Sequence, residues 1–593
     1  MKKKIRIKVK HLLGFVGISL ACLLLTYVFL PFAMFAIAER HEYKGNTIAA
    51  TVYYDRMNQY FPNHGKTAQA LERAAQLTTT KNLLIISSVG YGPGNALLSQ
   101  GLISEKSVPY YEALAERFPN TFEGNRAMTQ LALHQIRREI NDNNVEAAYS
   151  LMENHYEYLS DDSTAYNDPT LLLESVTFLK GKGFYEEAIK FLSFYVENDS
   201  QNVKIYETLG DLYAIVNHEE KALHYYTEAI NALEEIREFD THYIGQEDGT
   251  TKRYTEVELE KIYDKIENLS DTQLYNGSIT GQITLREDVF KGVNVFLQPQ
   301  KHQNMRIFTP VSGENLWSIS DDHGKFSFNN LPPGRYSLGF VLDVPEVGDV
   351  VLKGGLLPGP DIEVKENENQ HLAFELVDTI TPLSPLNNKK ITGDSIHFSW
   401  EPFEDAAYYT LELGTYSKNG TYSRRYSDYK FFTNEATLTI EELTTLSSSI
   451  MAFEEDGPDP DLFLGFTHPK GKYFWGIAAH DEDGHILSSS LGYMKSQNTD
   501  FHFEDRALRM GDQYILQKKF LKAIEAYESD LSENPNDVYA LTQLAKLYGF
   551  TYGDEDLYPY ADLNKAIKYY ERLYEITKNP ALLYIIEDLK KQS

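Results

Sequence analysis

The apolar spacing of this chain changes period twice. From about Asn46 to Phe239, apolar residues recur at the three- and four-residue steps of a buried helix face. From Asn276 to about Asn498 they alternate with polar residues, the period of a strand with one buried face. After residue 502 the helical spacing returns. A pattern written for one period buries the wrong side chains if laid down in the other. The 593 residues are therefore expected to fold as successive helical and β blocks, a multidomain α + β chain.

Ahead of the first block lies Leu12–Ala38, a run of 27 residues without a charge. As a helix it would be ~40 Å long, against ~30 Å for the hydrocarbon of a bilayer. Lys2, Lys3, Lys4, Arg6, Lys8 and Lys10 precede it. This step in positive charge predicts a transmembrane helix with the 1–11 tail in the cytoplasm, where it can touch anionic lipid, and the bulk of the chain outside. The rival reading is a cleaved signal peptide ending at "AIA" (Ala36–Ala38), but an uncharged run of this length exceeds the usual ~7–15 apolar residues of such a leader. Cys22, the only cysteine, is followed by more apolar residues rather than a polar tether, which argues against a lipid-modified cysteine. With no other cysteine, the exported part is held by packing and contains no disulfide. Such a composition suits a bacterial envelope protein.

The chain carries a net charge of −30. Beyond the six N-terminal cations it holds 50 basic against 86 acidic residues, a balance of −36. That excludes a nucleic-acid partner, whose phosphates need a basic patch.

Within the first helical block, Leu179, Ala188 and Leu192 recur 34 residues later as Tyr213, Ala222 and Tyr226. The segment "YETLGDLYAIVNHEEKALHYYTEAI" places Tyr206, Leu209, Gly210, Tyr213, Ala222 and Tyr226 at the offsets of the tetratricopeptide repeat, which it resembles. After residue 500, Gly511, Tyr514, Ala523, Tyr527 and Pro535 fall at the same offsets. Leu544, Ala545, Tyr548, Ala566 and Tyr570 form a further unit with a longer turn in "GFTYGDEDLYPYADL". The resemblance implies antiparallel helix pairs stacked into a solenoid, with small residues at the close helix contacts and tyrosines as core.

The central block is written in β period. In "WSISDDHGKFSFNNLPPGRYSLGF" (Trp317–Phe340), alternating segments are separated by the turns "DDHG" and "NNLPPG". "SITGQITL" and "GVNVFL" precede it and "HLAFEL" follows. Gly281, Ile283, Gly292, Val293, Val295, Gly324, Phe326, Phe328, Leu331, Gly334, Tyr336 and Leu338 resemble the carboxypeptidase regulatory-like domain, a transthyretin-like β-sandwich. The likeness implies a fold, a spacer or docking role and, by distant analogy, glycan binding; nothing in the chain resembles a peptidase. Ile396, Phe398, Trp400, Tyr409, Leu411 and Leu413, followed by Tyr473, Trp475, Ile477 and Ala479, resemble a fibronectin type III domain with an insertion between Leu443 and Tyr473.

The expected organisation is a cytoplasmic tail (1–11), a transmembrane helix (12–38), a helical-repeat solenoid (45–240) and a linker with a helix (241–275). Two antiparallel β-sandwiches (276–378 and 379–498) and a short C-terminal repeat block (502–593) complete it.

Motifs that resemble chemical sites fail on spacing. "HEEKALH" separates His218 and His224 by six positions, which puts them on different sides of a helix, whereas a zinc helix needs four. "HGKT" (His64–Thr67) has Tyr60 where a phosphate loop needs glycine. "SVGYGPG" (Ser88–Gly94) reads as a flexible loop. "EEDGPDPD" (Glu454–Asp461) and "DEDG" (Asp481–Gly484) offer carboxylates without the twelve-residue calcium-loop pattern. No catalytic, metal or cofactor set is expected. The leading reading is a non-enzymatic, membrane-anchored scaffold that binds a protein partner; the alternative is binding of cell-wall glycan through the sandwiches.

Resemblance to tetratricopeptide repeats implies that the first helix of each pair lines the groove. That face carries Lys204, Glu207 and Asp211 in the first block, and Asp505, Leu508, Asp512 and Ile515 in the second, a set suited to a basic or amphipathic partner. The charge step across Leu12–Ala38 predicts that an enzyme reporter active only outside the cytoplasm is active when fused after Lys44. An inactive but fully expressed fusion would reverse the orientation.

Overall fold

The computed structural model describes residues 27–592 except 88–89, 94–101, 161–168, 199–201, 246–250, 270–274, 300–314, 344–346, 356–361, 418–419, 446–452, 455–456, 469–470, 494–497, 504–506 and 551–557. The chain divides into two compact units, Met1–Val347 with Leu356–Glu375, and Gly348–Gly355 with Leu376–Ser593. Both mix helix and sheet.

In the first unit the helices are α1 (27–43), α2 (Thr47–Tyr60), α3 (Gly65–Asn82), α4 (Val108–Arg117), α5 (Phe122–Asn141), α6 (Val145–Ser160), α7 (Thr170–Lys182), α8 (Tyr185–Asn198), α9 (Val203–Ile215), α10 (Glu219–Arg237) and α11 (Tyr254–Glu267). From α2 onward, packing is mainly between helices adjacent in sequence, with α7 also against α5. The small residues of the repeat pattern sit where expected. A Cβ at Gly210 would run into the Tyr226 ring, and Ala222 is fully buried. Tyr206, Tyr213 and Tyr226 are core. Asn202 starts α9 by accepting from the Lys204 and Ile205 amides, donors that a helix N-terminus leaves unpaired.

No helix among the described residues is long and apolar enough to cross a membrane. Most of the predicted span, 12–26, lies outside the described residues; 27–38 belong to α1. Phe35 and Ala38 are buried against Tyr54, Met57, Ala70 and Ala74.

The sandwich is not a separate bead on the chain. Between α3 and α4 the helical array contributes two strands, Leu83–Ser87 and Gly90–Pro93, to one of its sheets. Strand order is Gly90–Pro93, Leu83–Ser87, Gly334–Asp343, Asn294–Pro299, Leu316–Ile319, with Ile362–Val364 also paired to Gly334–Asp343. The register runs Leu83 opposite Asp343 to Ser87 opposite Gly339. Part of the glycine-rich stretch expected as a loop is thus a strand. The second sheet centres on Gly277–Leu285, between Lys325–Leu331 and Asn369–Asp378. Phe326, Phe340 and Phe374 meet between the sheets, with Phe340 and Phe374 ring centroids 4.9 Å apart. Gly324 adopts φ +70° in the "DDHG" turn, where Asp321 Oδ1 accepts from the His323 and Lys325 amides.

Alternation predicts one buried face for these strands. In the sheet against the helical array the structure buries both, because the array covers the outer face, while the second sheet keeps the alternation. In Gly334–Asp343, seven consecutive residues from Tyr336 to Leu342 are buried. Trp317 lies on the helices: its ring stacks on Phe178 of α7 at 6.0 Å, and the Arg137 guanidinium of α5 lies 4.8 Å from the other ring of that column. Asn141 accepts from the Ile319 amide, and Tyr185 donates to the Asn330 carbonyl.

In the second unit the sheets are Pro382–Ser384, Ser395–Trp400, Glu435–Thr439 on one side and Lys389–Ile391, Phe501–Phe503, Tyr473–His480, Tyr408–Ser417, Gly420–Phe431 on the other, with Ile486–Ser489 beside Tyr473–His480. Trp400 and Trp475 are fully buried between them, and Trp475 Nε1 donates to the Pro385 carbonyl at 2.8 Å. Phe501–Phe503 extends this sandwich past residue 498. The helices are α12 (Ile440–Thr445), α13 (Pro460–Leu464), α14 (Met510–Leu516), α15 (Phe520–Glu533), α16 (Val538–Gly549), α17 (Leu563–Thr577) and α18 (Ala581–Gln592). Gly511 faces the Tyr527 ring as Gly210 faces Tyr226.

Gly181 of α7 tests the fusion of array and sandwich. An added Cβ would strike the Trp317 carbonyl. Gly→Ala inside an open helix is stabilising by ~1 kcal/mol, so the sign is diagnostic. Gly181→Ala is expected to destabilise the chain by ~1–3 kcal/mol through overpacking. Gly65→Ala, with open space around it, is not. Thermal unfolding of both variants checks this; an equal response would mean the helix–sheet contact is loose.

Candidate binding surfaces

The groove-facing residues expected of the first block are occupied from within the chain. Glu207 is buried, and α11 lies across it. Lys265 of α11 donates to Glu207 at 2.5 Å and to Asp211 at 2.9 Å, and Lys204 pairs with Glu207 at 2.7 Å. Burial alone would raise the Glu207 carboxyl, but the ammonium groups of Lys265 and Lys204 outweigh it and hold it at about 2. Asp211 also accepts from the Tyr226 hydroxyl at 2.8 Å. Of the three, only Lys204 is exposed.

The second block repeats this arrangement. Asp512 is buried and accepts from Tyr527 and Tyr539, both at 2.6 Å. Asp211–Tyr226 and Asp512–Tyr527 are the same pair in two repeats, an aspartate on the first helix and a tyrosine fifteen positions on. Ile515 is fully buried core. The helix starts only at Met510, so Leu508 precedes it, half-buried, and Asp505 lies outside the described residues. At Asp211 and Asp512 the expectation of an open acidic face is therefore corrected: each accepts from a tyrosine of the paired helix. The signal available in sequence was the aspartate–tyrosine spacing, shared by both blocks.

The residues packed against the C-terminal repeat block come from the sandwich of the second unit. Its insertion forms α13, whose Phe463 and Leu464, each 1 % exposed, enter the repeat core with Ile515, Leu544 and Leu547. Asp459 caps α13 by accepting from the Asp461 and Leu462 amides, and Asp461 lies 3.2 Å from His468. These carboxylates of the "EEDGPDPD" stretch thus serve the local fold. Lys546 of α16 is buried beneath α13, where it donates to the Phe463 carbonyl and sits 4.8 Å from the Phe463 ring centroid. Burial pushes its ammonium down to about 7, against the attraction of Asp512.

Two other places have the composition of a site. Asp481, Asp483 and His485 place donor atoms within 4.8 Å of one another on a hairpin turn, with Asp483 and His485 exposed. There Asp481 already accepts from the His485 amide at 2.8 Å and lies 3.1 Å from its ring nitrogen. In the first unit a cleft of about 630 Å³ opens between α5 and the sandwich. Its wall carries Glu105, paired with His134 at 3.4 Å and Arg138 at 3.2 Å, and Asp343, which accepts from Ser104 at 3.0 Å. The mixed sign of this wall suits a polar group but selects no particular one.

No family model matches the chain, and no curated protein matches it. Among solved structures, two of MamA ("MamA RS-1 ArsTM double mutant" and "MamA 41-end from Desulfovibrio magneticus RS-1") are each 16% identical, with TM-score 0.23 over 35% of this chain and 97% and 96% of theirs. The "chicken CNTN1 FN1-FN3 domains" are 10% identical over 44% of this chain and 76% of theirs, with TM-score 0.12. At such scores these likenesses carry no functional argument.

Lys546 makes the α13 seat sensitive to pH. A lysine in the unfolded chain keeps its proton to ~10.4. Between about 7 and that value the unfolded state binds the proton that the folded state has shed, so this group's contribution to stability rises with pH. Below about 7 both states are protonated and the cost of burying the charge is fully present. Lys546→Met should therefore raise stability at pH 6 and flatten the rise from pH 7 to 10 relative to wild type. Parallel profiles in paired thermal unfolding series would show that the ammonium is hydrated.

Proposed function

We propose that this chain is a non-enzymatic adaptor, anchored by its N-terminal uncharged run with its bulk outside the cytoplasm, that binds a protein partner through its C-terminal repeat block. The observation that supports this reading is the seat of α13. The first helices of the two pairs, α14 and α16, take in Phe463 and Leu464, and Lys546 donates to the Phe463 carbonyl. A groove that holds an apolar pair from its own chain has the shape and chemistry to hold one from another protein. Binding there exchanges one segment for the other, so the intramolecular contact sets the threshold for capture.

The test uses the full-length chain in detergent, offered envelope proteins and, separately, isolated wall glycan. Phe463→Ala with Leu464→Ala weakens the internal occupant. Protein capture should then rise by about tenfold for each ~1.4 kcal/mol of lost competition, with glycan retention unchanged. Capture of glycan alone would favour the polysaccharide reading, and protein capture indifferent to the double change would remove the groove from the proposal.

A further inference from the structure

We infer that the α2–α3 turn, with the outward side chains of α1 and α2 beside it, is a foot seated in the headgroup layer of the outer membrane–water interface. This deepens the anchor reading above and rests on it. Tyr27, inside the uncharged run Leu12–Ala38, belongs to α1. A crossing takes ~20 residues, so one that starts at Leu12 ends near residue 31. Tyr27 then lies close to the outer boundary.

The fold brings a second element to that level. α2 returns alongside α1: Tyr54 donates to Glu42 near the far end, and Phe35 and Tyr54 rings meet midway at 5.6 Å. At the near end the Tyr27 ring lies 5.8 Å from Phe61 and 5.9 Å from His64. The turn between α2 and α3 is therefore held beside Tyr27, near the outer end of that ~20-residue crossing.

The chemistry at this level fits an interface. Phe29, Phe32 and Tyr60 are at least half exposed. Among them lie His64, edge-on to Phe32, and Lys66, whose ammonium sits 4.3 Å from the Phe35 ring centroid. Aromatic rings with polar tips, and lysines whose stems run along apolar surface, are the groups that favour the headgroup layer. The opposite face of α1 is tied to the hairpin by Phe35 and Ala38, buried against Tyr54, Met57, Ala70 and Ala74. A foot fixed in this way transmits the bilayer's plane to the first helix pair. The occupant of the surface is lipid, because the uncharged run leads directly into it.

The experiment places the full chain, carrying Cys22→Ala, in phosphatidylcholine–phosphatidylglycerol vesicles, with a spin label at Tyr60→Cys or at Tyr584→Cys. Tyr584 is 70% exposed and belongs to the second unit. Collision rates with oxygen and with a water-soluble nickel chelate are read by power saturation. The ratio of oxygen to nickel collisions should be severalfold higher at position 60 than at 584. Equal ratios in a chain that floats with the vesicles overturn the foot and leave the anchor standing. A label at 60 shielded from both colliders overturns it in favour of a protein contact. A chain that does not float overturns the anchor and the foot together.

Discussion

The strand Gly334–Asp343 is buried on both faces, and the first unit is arranged around that requirement. Phe340 points to the second sheet, where it meets Phe326 and Phe374, while the next residue, Val341, joins the helical core with Phe296 and Trp317. Neither cover is dispensable, because uncovering either leaves large side chains in water at ~25 cal/mol per Å². The covering helical array also supplies two strands of the sheet, Leu83–Ser87 beside Gly334–Asp343 and Gly90–Pro93 at the edge. Helical array and sandwich therefore share one core. The contact Phe178–Trp317, capped by Arg137, is the joint. Burial pushes the carboxyl of Glu174, the Arg137 partner, up to about 7, so the joint contains an ion pair that is costly to desolvate.

The second unit solves a similar problem differently. Two helix pairs and one further helix make a small solenoid with little interior of its own. The insertion from the sandwich adds Phe463 and Leu464 to it, so that sandwich and repeats are linked by a segment packed as core. Its cost is Lys546, an ammonium with a carbonyl and a ring for company. In both units, then, the surface where a solenoid would ordinarily take a ligand is covered from within the chain: by α11 through Lys265 in one, and by α13 in the other.

The change of hydrophobic period, the repeat offsets and the turn residues determined which segments become helix and strand. They also located the small residues at helix crossings. Gly210 and Gly511 could be read because a close contact leaves a mark on the sequence at the very residue that makes it. Strand alternation likewise showed that one face of Trp317–Phe340 had to be buried. What it could not show is that the other face is buried as well. The covering residues lie on α5 and α7, more than a hundred positions away, and belong to a pattern that already has its own explanation. The same holds for Asp211 and Asp512: an aspartate on a helix face reads as solvated until the tyrosine hydroxyls that bind it are placed in space. Local periodicity determines which side of an element is apolar. Only the tertiary structure decides what lies against it, because that depends on contacts between residues whose spacing along the chain carries no period.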